Sequence, residues 1–168
     1  NAALYGGAMA QSHSTMKELA KRGTITPNMG ADTLKLIGSL APKFIGEGVN
    51  YDAAVDAIFR KIPLLGMDSD QSRLAQAQIS FAVAWLRKTS GAAFGGSEIL
   101  STIKEFFPFQ SEDKAVIDQK SNARERAIEG MKISTSTEGK KYISNYQNLA
   151  PASNAVTHPS HPGFSISR

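Results

Sequence analysis

Residues 68–88 read DSDQSRLAQAQISFAVAWLRK, and few chains can hide such a run anywhere but inside a helical core. Leu74, Ala77, Phe81 and Trp85 recur at the spacing of one helix face, and Ala75, Ile79, Ala82 and Leu86 widen it. Arg73, Gln76, Ser80 and Arg87 fall together on the other side, which predicts a face turned outward. Asp68, Ser69 and Asp70 offer a cap and negative charge where the helix dipole is positive, and Arg87 and Lys88 sit at its negative end. The spacing therefore predicts a helix over 68–88 that acts as the spine of the fold.

The adjoining stretch TSGAAFGGSEI punctuates and restarts the helical pattern. Gly91 suits a left-handed position after the helix, and Ser97 can cap a new one carrying Ile99, Leu100, Ile103, Phe106 and Phe107. Pro108 ends that helix and makes FFPF a hydrophobic corner. Ser111, Glu112 and Asp113 then open a helix whose buried face is Val116, Ala123, Ala127 and Met131. Upstream, shorter helices are expected over 9–21, stopped by Gly23, over 32–40, and from Asp52 to just before Pro63. Sustained strand-type alternation and a 20–50-residue repeat are both missing. The reading is all-α, a small irregular domain of about five to seven helices over residues 1–133, with its strongest module at 68–132.

Beyond Met131 the text turns to KISTSTEGKKYISNYQNLAPASNAVTHPSHPGFSISR, rich in Ser, Thr, Asn and Pro. Residues 134–168 read as an extended tail with at most one short helix near 140–147. Such a segment cannot bury itself and is expected to lie on a partner.

With 168 residues, 41% hydrophobic and 20% charged, the chain has material for one modest core. Its net charge of +4 is unevenly placed: residues 1–113 hold 11 basic and 11 acidic side chains, residues 114–168 hold 8 and 4. Lys120, Arg124, Arg126, Lys140 and Lys141, with Lys132, are the candidates for contact with DNA or other phosphates, although QKSNARERAIEG equally suits a solvated helix face with local ion pairs. The absence of cysteine removes disulfides and thiolate metal sites, and no apolar run reaches the roughly 20 residues of a membrane-spanning helix. The start at Asn1, without methionine, suggests a processed product or part of something longer.

Catalytic patterns are weak. Ser-x-x-Lys, the nucleophile motif of penicillin-binding enzymes, occurs at Ser14–Lys17, Ser101–Lys104 and Ser111–Lys114, and this repetition in a helical chain argues coincidence. His158 and His161 give too few ligands for a metal site, and His13 reads as a solitary, solvated helix residue. Glu98 and Glu112, which could serve as acids, come directly after serines, where first-turn carboxylates are expected anyway. GAAFGG comes after a helix rather than a strand, so no phosphate loop is read. Neither catalytic residues, metal nor cofactor are assigned.

The run over residues 77–131, AQISFAVAWLRKTSGAAFGGSEILSTIKEFFPFQSEDKAVIDQKSNARERAIEGM, resembles a C-terminal module of tailed-bacteriophage virion proteins of the internal-virion or DNA-ejection type, some of them fused to a peptidoglycan-cleaving transglycosylase. Phe81, Leu86, Arg87, Ser90, Gly91, Ala92, Glu98, Phe107, Pro108, Gln119, Lys120, Arg124, Ala127, Ile128, Gly130 and Met131 fit the pattern. The acidic turn departs from it, reading FQSEDK without the usual Pro-Gly-Asp. The resemblance implies a structural virion protein, carried in the particle and ejected into the host envelope on infection, that helps form a conduit for genome delivery. The implied partners are other copies in a ring or tube, portal, tail or core proteins reached through the tail and the face around Arg73 and Gln76, and double-stranded DNA. An anchoring module of a virion-associated peptidoglycan hydrolase, a fixed portal or tail component, and a DNA-binding module are the alternatives. Phe81, Trp85, Arg87, Gly91, Phe106, Phe107 and Pro108 are expected to form the packing joint, with Arg87 bonded to carbonyls or to Glu98 across it.

Overall fold

The computed structural model describes residues 2–23, 57, 59–62, 66, 68–90, 94, 96–108 and 112–148. They form an all-α body of five bounded helices, α1 (Ala2–Lys21), α2 (Ser69–Thr89), α3 (Gly96–Phe106), α4 (Lys114–Ile133) and α5 (Thr137–Asn148), together with a helical piece at 59–61. The short helix expected at 32–40, the start of the one from Asp52, Gly91 and the segment 149–168 lie outside the described residues.

Helix α2 is the predicted spine, and it begins where its carboxylate cap places it. Asp68 Oδ1 accepts from the Gln71 amide at 2.8 Å while Gln71 Oε1 accepts from the Asp68 amide at 3.1 Å, a reciprocal box that satisfies two otherwise orphaned donors. Its burial exceeds the expectation. Ser80, assigned to the outward face, is buried together with Gln78 and the run from Leu74 to Leu86 apart from Gln76 and Trp85. The reason is that α2 is covered on two sides, by α1 and by α3, so a stripe of alanines replaces a single apolar edge.

Helix α1 starts seven residues ahead of the predicted position, running through Gly6 and Gly7. Two glycines cost an isolated helix roughly 1 kcal/mol each, so packing must compensate. It does so through α5: a Cβ at Gly6 would collide with the Ile143 side chain and meet Met131 Cβ at 3.0 Å, and one at Gly7 would meet the Tyr142 ring at 2.6 Å. At Gly139 the added carbon would strike Thr135 and meet Ala3 at 3.1 Å. The pairings Ala3 with Gly139 and Gly6 with Ile143 run α1 parallel to α5, whereas Gly6 with Met131 and His13 with Arg124 run it antiparallel to α4. Arg73 near the start of α2 reaches Glu18 near the end of α1, which makes that pair antiparallel too. Helix α1 thus lies between α2 and the α4–α5 hairpin and is stopped by Gly23 at φ 69°, as read from the sequence.

This arrangement moves the domain boundary. The expected limit at residue 133 separates a folded domain from a tail, but α5 buries Ile143 against α1, and Ser136 Oγ accepts from the Gly139 amide at 3.2 Å at its start. A short polar helix whose partner is more than a hundred residues away carries no local sign of where it packs. The packed body therefore continues through Asn148.

The two middle helices begin slightly off the expected caps. Helix α3 starts at Gly96, leaving Ser97 inside its first turn, and α4 is capped by Asp113, whose Oδ1 accepts from the Val116 amide at 2.9 Å, two residues past Ser111.

Replacing Gly6 with alanine tests the close approach. The helix-propensity gain of about 1 kcal/mol is expected to be outweighed by overpacking against Ile143, for a net loss of about 1–2 kcal/mol in urea unfolding. Gly130→Ala, where nothing lies within 4 Å of the added carbon, is expected to stabilise by roughly 0.5–1 kcal/mol. Stabilisation by both substitutions would contradict the packing.

Candidate functional site

Four of the residues assigned to the joint lie in contact with one another. The Phe81 ring lies 5.1 Å from Phe106 and 5.4 Å from Phe107, edge-on to the latter at 87°, and Trp85 stands edge-on to Phe106 at 5.3 Å. These contacts fasten α2 to the end of α3, where Phe106 and Phe107 are buried and Pro108 is half-buried. Arg87 is half-buried in the last turn of α2.

The end of a helix leaves carbonyls without partners, and here two cations from α4 supply donors. Arg124 Nη1 donates to the Phe106 carbonyl, and Lys120 Nζ donates to the Phe107 carbonyl at 3.0 Å while also pairing with Glu112. Being four residues apart, Lys120 and Arg124 share one face of α4. The Arg124 guanidinium lies 5.2 Å over the Phe107 ring, adding a cation–π contact. Only 5% of Arg124 is exposed, and burial lowers its pKa to about 10.

Both residues are sequence candidates for phosphate contact, and the structure commits both to the protein's own backbone. Of that set, Arg126, Lys140 and Lys141 are exposed, with Arg126 Nε reaching back to the Asn122 carbonyl at 3.4 Å. The face around Arg73 is likewise used internally, since Arg73 Nη2 bonds Glu18 Oε2 at 2.9 Å and Nη1 lies 3.7 Å from Asp70.

His13, expected in solvent, is 4% exposed and sits between α1 and α4. Its Nδ1 is 3.3 Å from Arg124 Nε and its Nε2 is 3.2 Å from Glu125 Oε1, which Lys17 Nζ also approaches at 2.7 Å. An arginine Nε can only donate, so Nδ1 is bare and the ring proton is on Nε2, donated to Glu125. Burial, then the Arg124 charge, hold the imidazole pKa down to about 4, and the Lys17 hydrogen bond is the largest cause of the lowered pKa of Glu125. The sequence does carry a sign of this: Arg124, Ala127, Ile128 and Met131 have the spacing of a buried stripe, so Arg124 occupies a core position. Its partner on α1 is not legible, because the polar run QSHST looks solvated when read locally.

Beside this chain a cleft of about 350 Å³ opens, lined by His13, Ser14, Lys17, Glu125, Arg126 and Glu129 with Gln147 from α5 and Ala10. Ser14 and Lys17, one of the Ser-x-x-Lys pairs, face it together, but the Lys17 ammonium is held by Glu125. With Nδ1 accepting and Nε2 donating, His13 has no lone pair left to take a proton from a bound molecule. Outside the cleft, the Tyr142 and Tyr146 rings pack at 4.9 Å, tilted 56° to one another with their hydroxyls 3.4 Å apart, and desolvation with the neighbouring phenol pushes Tyr142 up to about 12. No described helix is long and apolar enough to cross a membrane.

Comparison of the chain with protein-family models, with curated proteins and with solved structures gives no match.

Arg124→Lys is expected to lower stability by about 2 kcal/mol in chemical denaturation, because an ammonium cannot reach His13, the Phe106 carbonyl and the Phe107 face at once. The exposed control Arg126→Lys is expected to stay within about 0.5 kcal/mol of the parent. Equal effects of the two substitutions would remove Arg124 from its structural role.

Proposed function

We propose that this chain is a non-enzymatic assembly module of a tailed-bacteriophage particle, of the internal or ejected type, that helps form the conduit for genome delivery. The observation that carries the reading is that seven of the residues of the phage-module resemblance belong to one packed unit. Phe81, Leu86, Phe107, Arg124, Ala127, Ile128 and Met131 are buried, and Lys120 and Arg124 close the end of α3. A pattern of residues that together build a joint is what a recurring structural module needs. The engaged imidazole of His13 and the paired Lys17 and Glu125 favour a structural role for the cleft over a catalytic one.

In this reading neighbouring copies meet through outward apolar side chains such as Leu4, Ile117, Tyr142 and Ile133, the last 75% exposed, and contacts to DNA fall to Arg126, Lys140 and Lys141. Closed rings are the expected assembly, since many modest heterologous contacts close when the rotation allows.

The test is quantitative peptide mass spectrometry on purified particles before and after triggered genome release. Peptides from this chain are expected in the filled particle and are expected to be lost on release. Retention in the emptied particle would make it a fixed portal or tail component, and absence from both would end the virion reading.

A further inference from the structure

The imidazole of His13 is a link in a polar chain that crosses three helices. The chain runs from Lys17 to Glu125, through Nε2 and Nδ1 of the ring to the Arg124 guanidinium, and on to the Phe106 carbonyl at the end of α3. Every link but one survives a change of protonation at the ring. A proton added to Nδ1 sets an N–H against the Arg124 N–H and turns an acceptor into a second donor. It also places a second positive charge beside a guanidinium in a site largely closed to water.

The groups that face the ring from each packed element fix the sign of the effect. Its own helix α1 presents Lys17, with Glu18 further on engaged by Arg73 of α2. Helix α4 presents Arg124 and Glu125, and Arg126 and Glu129 on the rim of the cleft. Helix α5 contributes the uncharged Gln147 to that cleft, and α3 the Phe106 carbonyl held by Arg124. Two cations and a single anion are in direct contact with the chain of bonds at the ring, so a protonated imidazole meets net repulsion there.

We propose that His13 is an acid-operated latch, whose protonation breaks its bond with Arg124 and loosens α4 against α1 and the end of α3 while α1 stays packed on α2. The α1–α2 pair is held independently by the Arg73–Glu18 bond, and α2–α3 by the Phe81, Trp85 and Phe106 rings. The imidazole pKa is about 4 in the closed form against an ordinary 6.5 when released. The open form thus binds more protons between those values. The latch is fully effective above about pH 6.5 and is lost progressively as the pH falls toward 4. Glu125, with its lowered pKa, acts in the same direction only below its ordinary value of 4.5.

The test is amide hydrogen exchange from pH 7 to 4 on the whole chain, corrected for the intrinsic rate, alongside the NMR titration of the His13 ring. Protection at 120–131 in α4 and at 103–107 is expected to fall about tenfold per pH unit between 6.5 and 4, while amides 79–83 of α2 keep theirs. His13→Asn, whose amide can accept from Arg124 and donate to Glu125 without titrating, is expected to abolish that slope. The latch is overturned if the ring titrates near 6.5 with protection unchanged, if α2 loses protection in step with α4, or if the slope persists in His13→Asn. Should that variant not fold, the comparison of α2 with α4 in the parent chain decides.

Discussion

A guanidinium removed from water is costly unless its donors find acceptors, and at Arg124 two of them find acceptors on other helices. The acceptors come from different parts of the chain: a ring nitrogen of α1 and a carbonyl at the end of α3, with the Phe107 face beneath. Each acceptor has the same need in reverse. The Phe106 carbonyl is an orphan of its helix, and a buried imidazole nitrogen without a donor carries its own penalty. Satisfying one group therefore sets the relative placement of three helices, and the apolar contacts fill in around it. Lys120 repeats the device one turn earlier at a wetter position, where it caps Phe107 and is steadied by Glu112.

The α2–α3 joint is apolar by contrast, and it relies on shape. Phe81 touches both phenylalanines of the FFPF corner, and Trp85 covers the outer one. Aromatic rings bury much area with few rotatable bonds, so they fix an angle between helices at small entropic cost. Apolar packing on one side of α3 and cationic capping at its end together determine how the 77–131 unit holds its form.

How much of this is legible in the sequence depends on the range of the interaction. The spine at 68–88, its Asp68 cap, the stop at Gly23 and the aromatic corner all arise from residues within a few turns of one another, where periodicity and capping chemistry act. The errors have one origin. The first helix is expected only from residue 9, and residues 134–168 read as tail with at most one short helix, because Gly6 and Gly7 on one side and Tyr142 and Ile143 on the other make sense only against each other. His13 looks solvated and Arg124 looks like a phosphate contact for the same reason, the two being separated by 111 residues along the chain. Polar residues at core positions are the weakest point of pattern reading, since hydropathy assigns them to solvent and only their distant partners say otherwise.

The placement of α1 has a consequence for how the body is assembled in time. Its partners are the spine, tens of residues later, and a hairpin whose second helix ends at Asn148. During synthesis, α1 emerges with its glycine face uncovered and must either wait or pair provisionally, because the groove that accepts Gly6 does not exist until Ile143 has been made. Closing so long a loop is entropically slow, and its reward arrives only when α5 docks. The middle of the chain, α2 through α4, is joined by nearer contacts and can condense first. Among the described helices, α1 is made first and is enclosed only once α5 docks on it.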